Sequence, residues 1–368
     1  MNLDTMEFSE RLFGHPSFDA RGVILSRKKE DRGRILGFTY IGKYFTRYYI
    51  DPDAKAFHDG ISALFPEQQV SIASRARDDN EVVIFTRSPK NPGAYYLLRN
   101  KTELLLIGKV RPLLSEDMLS DVKFISYEAR DGMRIRAYVT LPSKGQKPYP
   151  TVIMPHGGPW ARDSAVFDDW AQFLAHNGYM VVQPQFRGSQ GIGLELWMAG
   201  DEKWGLEMQD DLDDAANFLL KNGLADPDRI AMHGYSYGGY AAFVASFREN
   251  GPYKCSIAGA GVADMNDVSA ELSQNRFLRE LQRPTIKGLN PIDHTQDVRM
   301  PILVMHGDRD TIVHVKHSRG FVDGLEKHNK IHKYVELKGM RHQAWTWTYQ
   351  HRRDYYSNML DWLENSCF

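Results

Sequence analysis

Three observations predict an α/β fold for this chain. From residue 116 onward, short apolar strands alternate with helical stretches, the pattern of a mostly parallel sheet covered on both faces. Before that point the chain is largely strand-like, with turn signals between the strands. Between one later strand and the helix after it stands Gly234-Tyr235-Ser236-Tyr237-Gly238, a serine on a turn between glycines. The expected division is a β-rich region over 1–115 and a larger α/β domain over 116–368.

In the first region, residues 23–27, 34–42, 81–88, 94–100 and 103–110 are short runs rich in β-branched and aromatic residues. Asp-Asp-Asn and Asn-Pro-Gly turns separate several of them. Residues 54–65 carry apolar side chains at helical spacing. Strands in so short a region leave open sheet edges, which invite two copies of the chain to pair. Residues 124–142 read as a hairpin turning at Arg130-Asp131-Gly132. The sheet of the second domain is then built from 151–155, 179–186, 230–234, 255–261, 301–307 and 334–338. Helices are predicted over 167–178, 201–223, the stretch opening after Ser236, 314–329 and a final segment through Leu363.

Composition excludes several classes of function. The 368 residues are 42% hydrophobic and 25% charged, ordinary for a soluble globular protein. A formal net charge of −1 argues against general affinity for nucleic acid. The opening MNLDTMEFSERLFG has acidic residues and no apolar core, so neither a signal peptide nor a membrane anchor is read there. Cys255 and Cys367 lie far apart and are expected to be free thiols in a reducing, cytoplasmic setting. There is no H-E-x-x-H, and His314 and His317 fall in a predicted surface helix, so no metal is expected. No G-x-G-x-x-G follows an early strand, and no cofactor is expected either.

The chemistry gathers beyond the carboxyl ends of the strands, where open α/β sheets carry their sites. Ser236 on its strand-to-helix turn is the candidate nucleophile, with its oxygen near the positive end of the following helix. A serine hydroxyl needs a base. His342, in a loop after the last strand, is the candidate; His306, His314, His317 and His328 read as ordinary surface or capping groups. The imidazole needs a carboxylate in turn. His306-Gly307-Asp308-Arg309-Asp310 offers two, and Asp310, farther from the strand, is preferred over Asp308. In HGGPWARD (156–163) adjacent glycines expose backbone N–H groups, so the N–H groups of Gly158 and Tyr237 are the expected oxyanion hole. Trp160 and Trp345 are candidate substrate contacts, each set against a role as plain core. Arg187 is a third candidate contact, set against a role in anchoring its loop to a carboxylate.

HGGPWARD, FRGSQGIG (186–193), HGYSYGGY (233–240), HGDRDTIV (306–313) and the His342 loop together resemble the prolyl oligopeptidase family of serine peptidases, in its acylaminoacyl-peptidase and dipeptidyl-aminopeptidase branch. The resemblance implies an α/β-hydrolase catalytic domain, with Asp310 at the carboxylate position of the triad. It also likens the N-terminal strands to the last blades of the propeller that caps this family. About 115 residues are too few to close a propeller, so the region is expected to be a remnant of one or two blades. The implied activity is hydrolysis of small acyl esters, and of short or acylated peptides, through a Ser-His-Asp triad and an acyl-enzyme. The alternatives are a true acylaminoacyl-peptidase or dipeptidyl-aminopeptidase with little esterase action, and an inactive binding protein of the same fold.

Overall fold

The structure is a computed structural model that describes residues 5–8, 10–272, 276, 280 and 282–368. Met1 to Asp4 and Ser9, part of the opening segment read above as neither signal nor anchor, lie outside the described residues. The chain forms two compact units. One comprises Met1–Glu116, Ser164–Phe167 and Gly191–Leu194, the other Asp117–Asp163, Asp168–Gln190 and Glu195–Phe368.

The first unit holds two antiparallel sheets. Strands β1 (Ala20–Leu25), β2 (Ile35–Ile41) and β3 (Phe45–Tyr49) make a three-stranded meander. Helix α1 (Pro52–Ser62) follows, capped by the Asp51 side chain, which accepts from Ala54 N–H at 2.8 Å. Strands β4 (Gln69–Arg75), β5 (Glu81–Ser88), β6 (Asn91–Arg99) and β7 (Glu103–Lys109) make a four-stranded meander. Ile61 and Phe65 pack on Val70, Val82, Ile84 and Leu98 to give this unit its core. These are propeller-like blades, as in a shortened propeller. Strands β3 and β4 escape the sequence reading because Arg47 in one, and Ser71 and Ser74 in the other, blur their apolar alternation.

The second unit is built on one eight-stranded sheet: β8 (Val122–Glu128), β9 (Arg134–Thr140), β10 (Tyr149–Ile153), β11 (Met180–Gln185), β12 (Ala225–Tyr235), β13 (Cys255–Gly259), β14 (Ile302–Gly307) and β15 (His332–Leu337). Their spatial order is β8-β9-β11-β10-β12-β13-β14-β15. β9 pairs antiparallel with both of its neighbours, β8 and β11; the pairs from β11 through β15 are all parallel. Helices α2 (Asp169–His176), α3 (Leu194–Met198), α4 (Glu207–Lys221), α5 (Tyr237–Phe247), α6 (Met265–Leu272), α7 (Lys316–Lys327) and α8 (Tyr349–Trp362) complete the described elements.

Alternation along the strands divides the core. Val152, Val181, Ala231, Ile257 and Leu303 point to a face covered by Leu174 of α2 and by Tyr355, Met359 and Trp362 of α8. On the opposite face α5 is buried all round, and its Phe243 packs against Phe321 of α7 with ring centroids 4.2 Å apart. The helix expected from Asp201 starts only at Glu207. The backbone of Trp204 is already engaged with the 287–289 segment through Lys287 C=O and Leu289 N–H, and Gly205 turns at φ 71°.

The cysteine expectation is corrected. Cys255 is buried but not free: it is bonded to Cys367, with the two Cα atoms 5.3 Å apart. A π-turn over Leu363–Cys367 brings the chain end to the first residue of β13. No spacing rule links residues separated by 112 positions; the pairing exists only once the sheet and α8 are in place. The cysteines therefore give no argument for a reducing compartment. Among the described residues, no helix is long and apolar enough to cross a membrane. Breaking the bridge with Cys367→Ser lowers unfolding free energy by about 2–4 kcal/mol. Urea denaturation checks this: dithiothreitol shifts the native chain by the same amount and leaves the variant unmoved.

Candidate active site

Strand β12 ends at Tyr235 and α5 begins at Tyr237, which leaves a single residue for the turn. Ser236 takes φ 61° and ψ −118°, a region that L-residues avoid. The crossing is this tight because of two glycines. A Cβ on Gly234 would stand 2.3 Å from the carbonyl of Gly238, and a Cβ on Gly238 would stand 2.3 Å from the carbonyl oxygen of Pro155. Ser236 N–H donates to the Gly259 carbonyl at 2.9 Å, which fixes the turn to β13. Although Ser236 is the N-cap of α5, its hydroxyl makes no capping bond. Between Ile230 and Phe247 it is the one residue that is not buried.

Asp310 lies beyond the end of β14 with its carboxylate fully buried. Its Oδ1 accepts from the N–H groups of Ile312 and Val313, both at 2.9 Å. Its Oδ2 accepts from His342 Nδ1 at 2.6 Å. A carboxylate can only accept, so Nδ1 of His342 carries the proton and Nε2 keeps its lone pair. Burial works against charge on Asp310, but the hydrogen bonds from His306 and His342 and the backbone outweigh it and hold the carboxyl well below the usual carboxylate range. The other candidate, Asp308, is occupied elsewhere: its Oδ1 accepts from Gly339 N–H at 2.5 Å. The ring of His342 packs against Tyr235, the residue before Ser236, at 5.1 Å between centroids.

The glycines of HGGPWARD lie against the same turn. A Cβ on Gly157 would come within 3.4 Å of Ser236 Cβ and 4.0 Å of its Oγ, and Gly158 is held at φ 123°. His156 fixes this segment: its Nδ1 donates to the Gly157 carbonyl at 2.8 Å, and its Nε2 accepts from the Ser189 hydroxyl at 2.9 Å. Burial pushes the His156 pKa down to about 4, which keeps the ring neutral in this donor-acceptor arrangement.

Other candidates fall in different surroundings. The Tyr237 side chain is buried against Trp204 and Phe186, so only its backbone faces the turn question. Trp160 is half-buried beside Trp204 at 6.0 Å. Trp345 is 81% exposed in a short 3₁₀ turn after His342, which rules out the plain-core reading for that ring. Arg187 donates to both oxygens of buried Asp211 and to Asp131, the loop-anchoring arrangement rather than an open substrate contact.

Two histidines were missed as members of this neighbourhood. One is His156. The other is His306, expected as an ordinary surface or capping group, which is fully buried near the end of β14. Its Nδ1 accepts from the Ser318 hydroxyl at 2.7 Å, and its Nε2 donates to the Val313 carbonyl at 2.8 Å while standing 3.4 Å from Asp310 Oδ2. The signal available in the sequence was a single polar residue interrupting the apolar run ILVMHG.

Arg187→Met leaves the Asp211 carboxylate buried without its partner, and the expected cost is about 3–5 kcal/mol of stability. Urea unfolding measures that cost. A substrate-contact role would instead raise KM and leave the unfolding midpoint in place.

Comparison with known proteins gives this geometry its family. The chain is 28% identical over 308 residues to dipeptidyl aminopeptidase BIII of Pseudoxanthomonas mexicana, covering 78% of this chain and 45% of that protein. In fold it is similar to a puromycin-hydrolyzing peptidase of Mycobacterium tuberculosis, with a TM-score of 0.77 at 19% identity, over 94% of this chain and 54% of that one. An acylaminoacyl peptidase of Pyrococcus horikoshii gives a TM-score of 0.74 at 18% identity, over 95% of this chain and 56% of that one. The chain thus spans less than half the length of the curated relatives that it matches first. Residues 165–367, more than half of the sequence, match the prolyl oligopeptidase family of peptidases, and the chain belongs to that family.

Proposed function

We propose that this protein is a serine hydrolase that cleaves small acyl esters through an acyl-enzyme on Ser236. The observation that carries the reading is the short His342–Asp310 hydrogen bond, which orients an imidazole packed on Tyr235, the residue before a serine held on a strained turn. In this mechanism His342 Nε2 takes the hydroxyl proton as Ser236 Oγ attacks the substrate carbonyl. Asp310 keeps the proton on Nδ1 and stabilises the imidazolium as it forms. The N–H groups of Gly158 and Tyr237 receive the developing oxyanion; the second of these sits at the positive end of α5. His342 then passes its proton to the leaving group, and water repeats the sequence to release the acid.

Short or acylated peptides form a second substrate class. Its support is the likeness to a dipeptidyl aminopeptidase and the shared fold with an acylaminoacyl peptidase. Rates on p-nitrophenyl esters of increasing chain length, compared with aminoacyl and peptidyl anilides, divide the two readings. Turnover of the anilides alone would move the assignment to peptidase.

Ser236→Ala is expected to lower kcat on a p-nitrophenyl ester by about 10⁴–10⁶-fold, and Asp310→Asn by about 10⁴-fold. Circular dichroism should show both variants folded. A Ser236→Ala enzyme with unchanged turnover would sink the assignment.

The pH dependence follows from Asp310. Its folded pKa lies below the unfolded value of about 3.9, so its contribution to stability is complete above that value and fades as pH falls toward the folded one. Between pH 5 and 8, therefore, it does not titrate. It adds no proton to the acid limb of log kcat/KM, whose slope should stay at about one. A slope of two in that window would contradict the buried, ionised carboxylate.

A further inference from the structure

Residues from both small sheets of the N-terminal unit line an open recess of about 440 Å³: Arg21, Thr39, Phe45, Arg47, Ser71 and Arg87. Backbone register explains the convergence. Thr39 stands directly opposite Arg47 in the β2–β3 ladder. In the β4–β5 ladder Gln69 faces Arg87 and Ser71 faces Phe85, so Ser71 and Arg87 are diagonal neighbours on one face. Arg47 spans the gap between the sheets, donating to the Val70 carbonyl at 2.8 Å and to Ser71 Oγ at 3.1 Å. The guanidinium carbons of Arg47 and Arg21 lie 4.8 and 5.9 Å from the centre of the Phe45 ring.

No carboxylate is among the residues that line this recess. Other arginines of the same unit are matched: Arg34 with Asp31 and Asp51, Arg75 with Asp79, and Arg99 with Glu81 and Glu103. Burial, followed by the nearby positive charge of Arg87, lowers the pKa of Arg47; burial and then Arg21 lower that of Arg87. Two partly desolvated arginines and the exposed Arg21 thus converge on one recess, an arrangement of like charges that repels itself until an anion enters. Guanidinium forks match the geometry of phosphate oxygens and bind them in pairs, and the Ser71 hydroxyl, which accepts from Arg47, keeps its proton to donate.

We propose that this recess is a binding site for a phosphoryl group, carried either by inorganic phosphate or by a small phosphate monoester. The site is independent of the hydrolase reading, since none of its residues takes part in that chemistry.

Isothermal titration of the full chain at constant ionic strength tests it, with inorganic phosphate and glycerol phosphate as probes. The comparison is with the Arg21→Gln/Arg87→Gln double variant; Arg47 is left in place because it ties β3 to β4. The expected result is saturable binding to the native chain, weakened at least tenfold in the double variant. Tighter binding of glycerol phosphate assigns a monoester, and tighter or equal binding of phosphate assigns the free ion. Thermal unfolding supplies a readout that a merely structural role would not give. In phosphate-free buffer the double variant should be at least as stable as the native chain, because like charges have been removed, and phosphate should raise the midpoint of the native chain alone. Lack of saturable binding, equal binding by the variant, stabilisation matched by sodium chloride at the same ionic strength, or a variant that is less stable without phosphate would each overturn the proposal.

Discussion

The crossing of β12 and α5 governs the rest of this molecule's candidate chemistry. Backbone atoms of Gly234 and Gly238 approach so closely that neither position admits a side chain, and the next contact, from Gly238 to the carbonyl of Pro155, draws in the end of β10. This pressure holds Ser236 at a positive φ without the help of its own side chain. The hydroxyl is left partly exposed and uncommitted to capping in a stretch where every neighbour is buried. A looser crossing would let the residue relax into ordinary helix, and the hydroxyl would turn back toward the backbone.

Around this turn, polar groups are held by partners that are themselves fixed. Asp310 divides its two oxygens between a backbone turn and His342. His306 steadies that turn from below by donating to Val313. On the other side His156 joins the Gly157 segment to Ser189, and the adjacent Arg187 is locked onto Asp211. The arrangement supports preorganisation: donors and acceptors are already aimed, so little reorientation is required when charge develops.

Some of this was legible in the sequence and some was not, for identifiable reasons. The apolar runs that became β10 to β14 are buried on both faces, so their composition alone marked them. Ser236 was legible because its glycines answer a local steric demand within five residues. His342 and Asp310 were singled out by their place after successive strands, with Asp310 preferred over Asp308; the turn aims Asp310 at the imidazole and Asp308 at Gly339. The strand holding His306 was legible, but its burial was not, because the partners that satisfy the ring, Ser318 and the Val313 carbonyl, come from the segment that follows. The Cys255–Cys367 bond was invisible for a stronger reason: nothing local to either residue encodes the other. The start of α4 shifted because a distant segment, 287–289, claims the Trp204 backbone.

The bridge between Cys255 and Cys367 has a topological effect beyond its local geometry. It closes a covalent ring that contains β14, α7, β15 and α8, and hence both Asp310 and His342, while Ser236 stands outside it. A protease that cuts once in any loop of that ring produces two fragments that stay tethered. The imidazole and its carboxylate therefore remain attached to the strand neighbouring β12 after a nick that would otherwise release the C-terminal third of the chain.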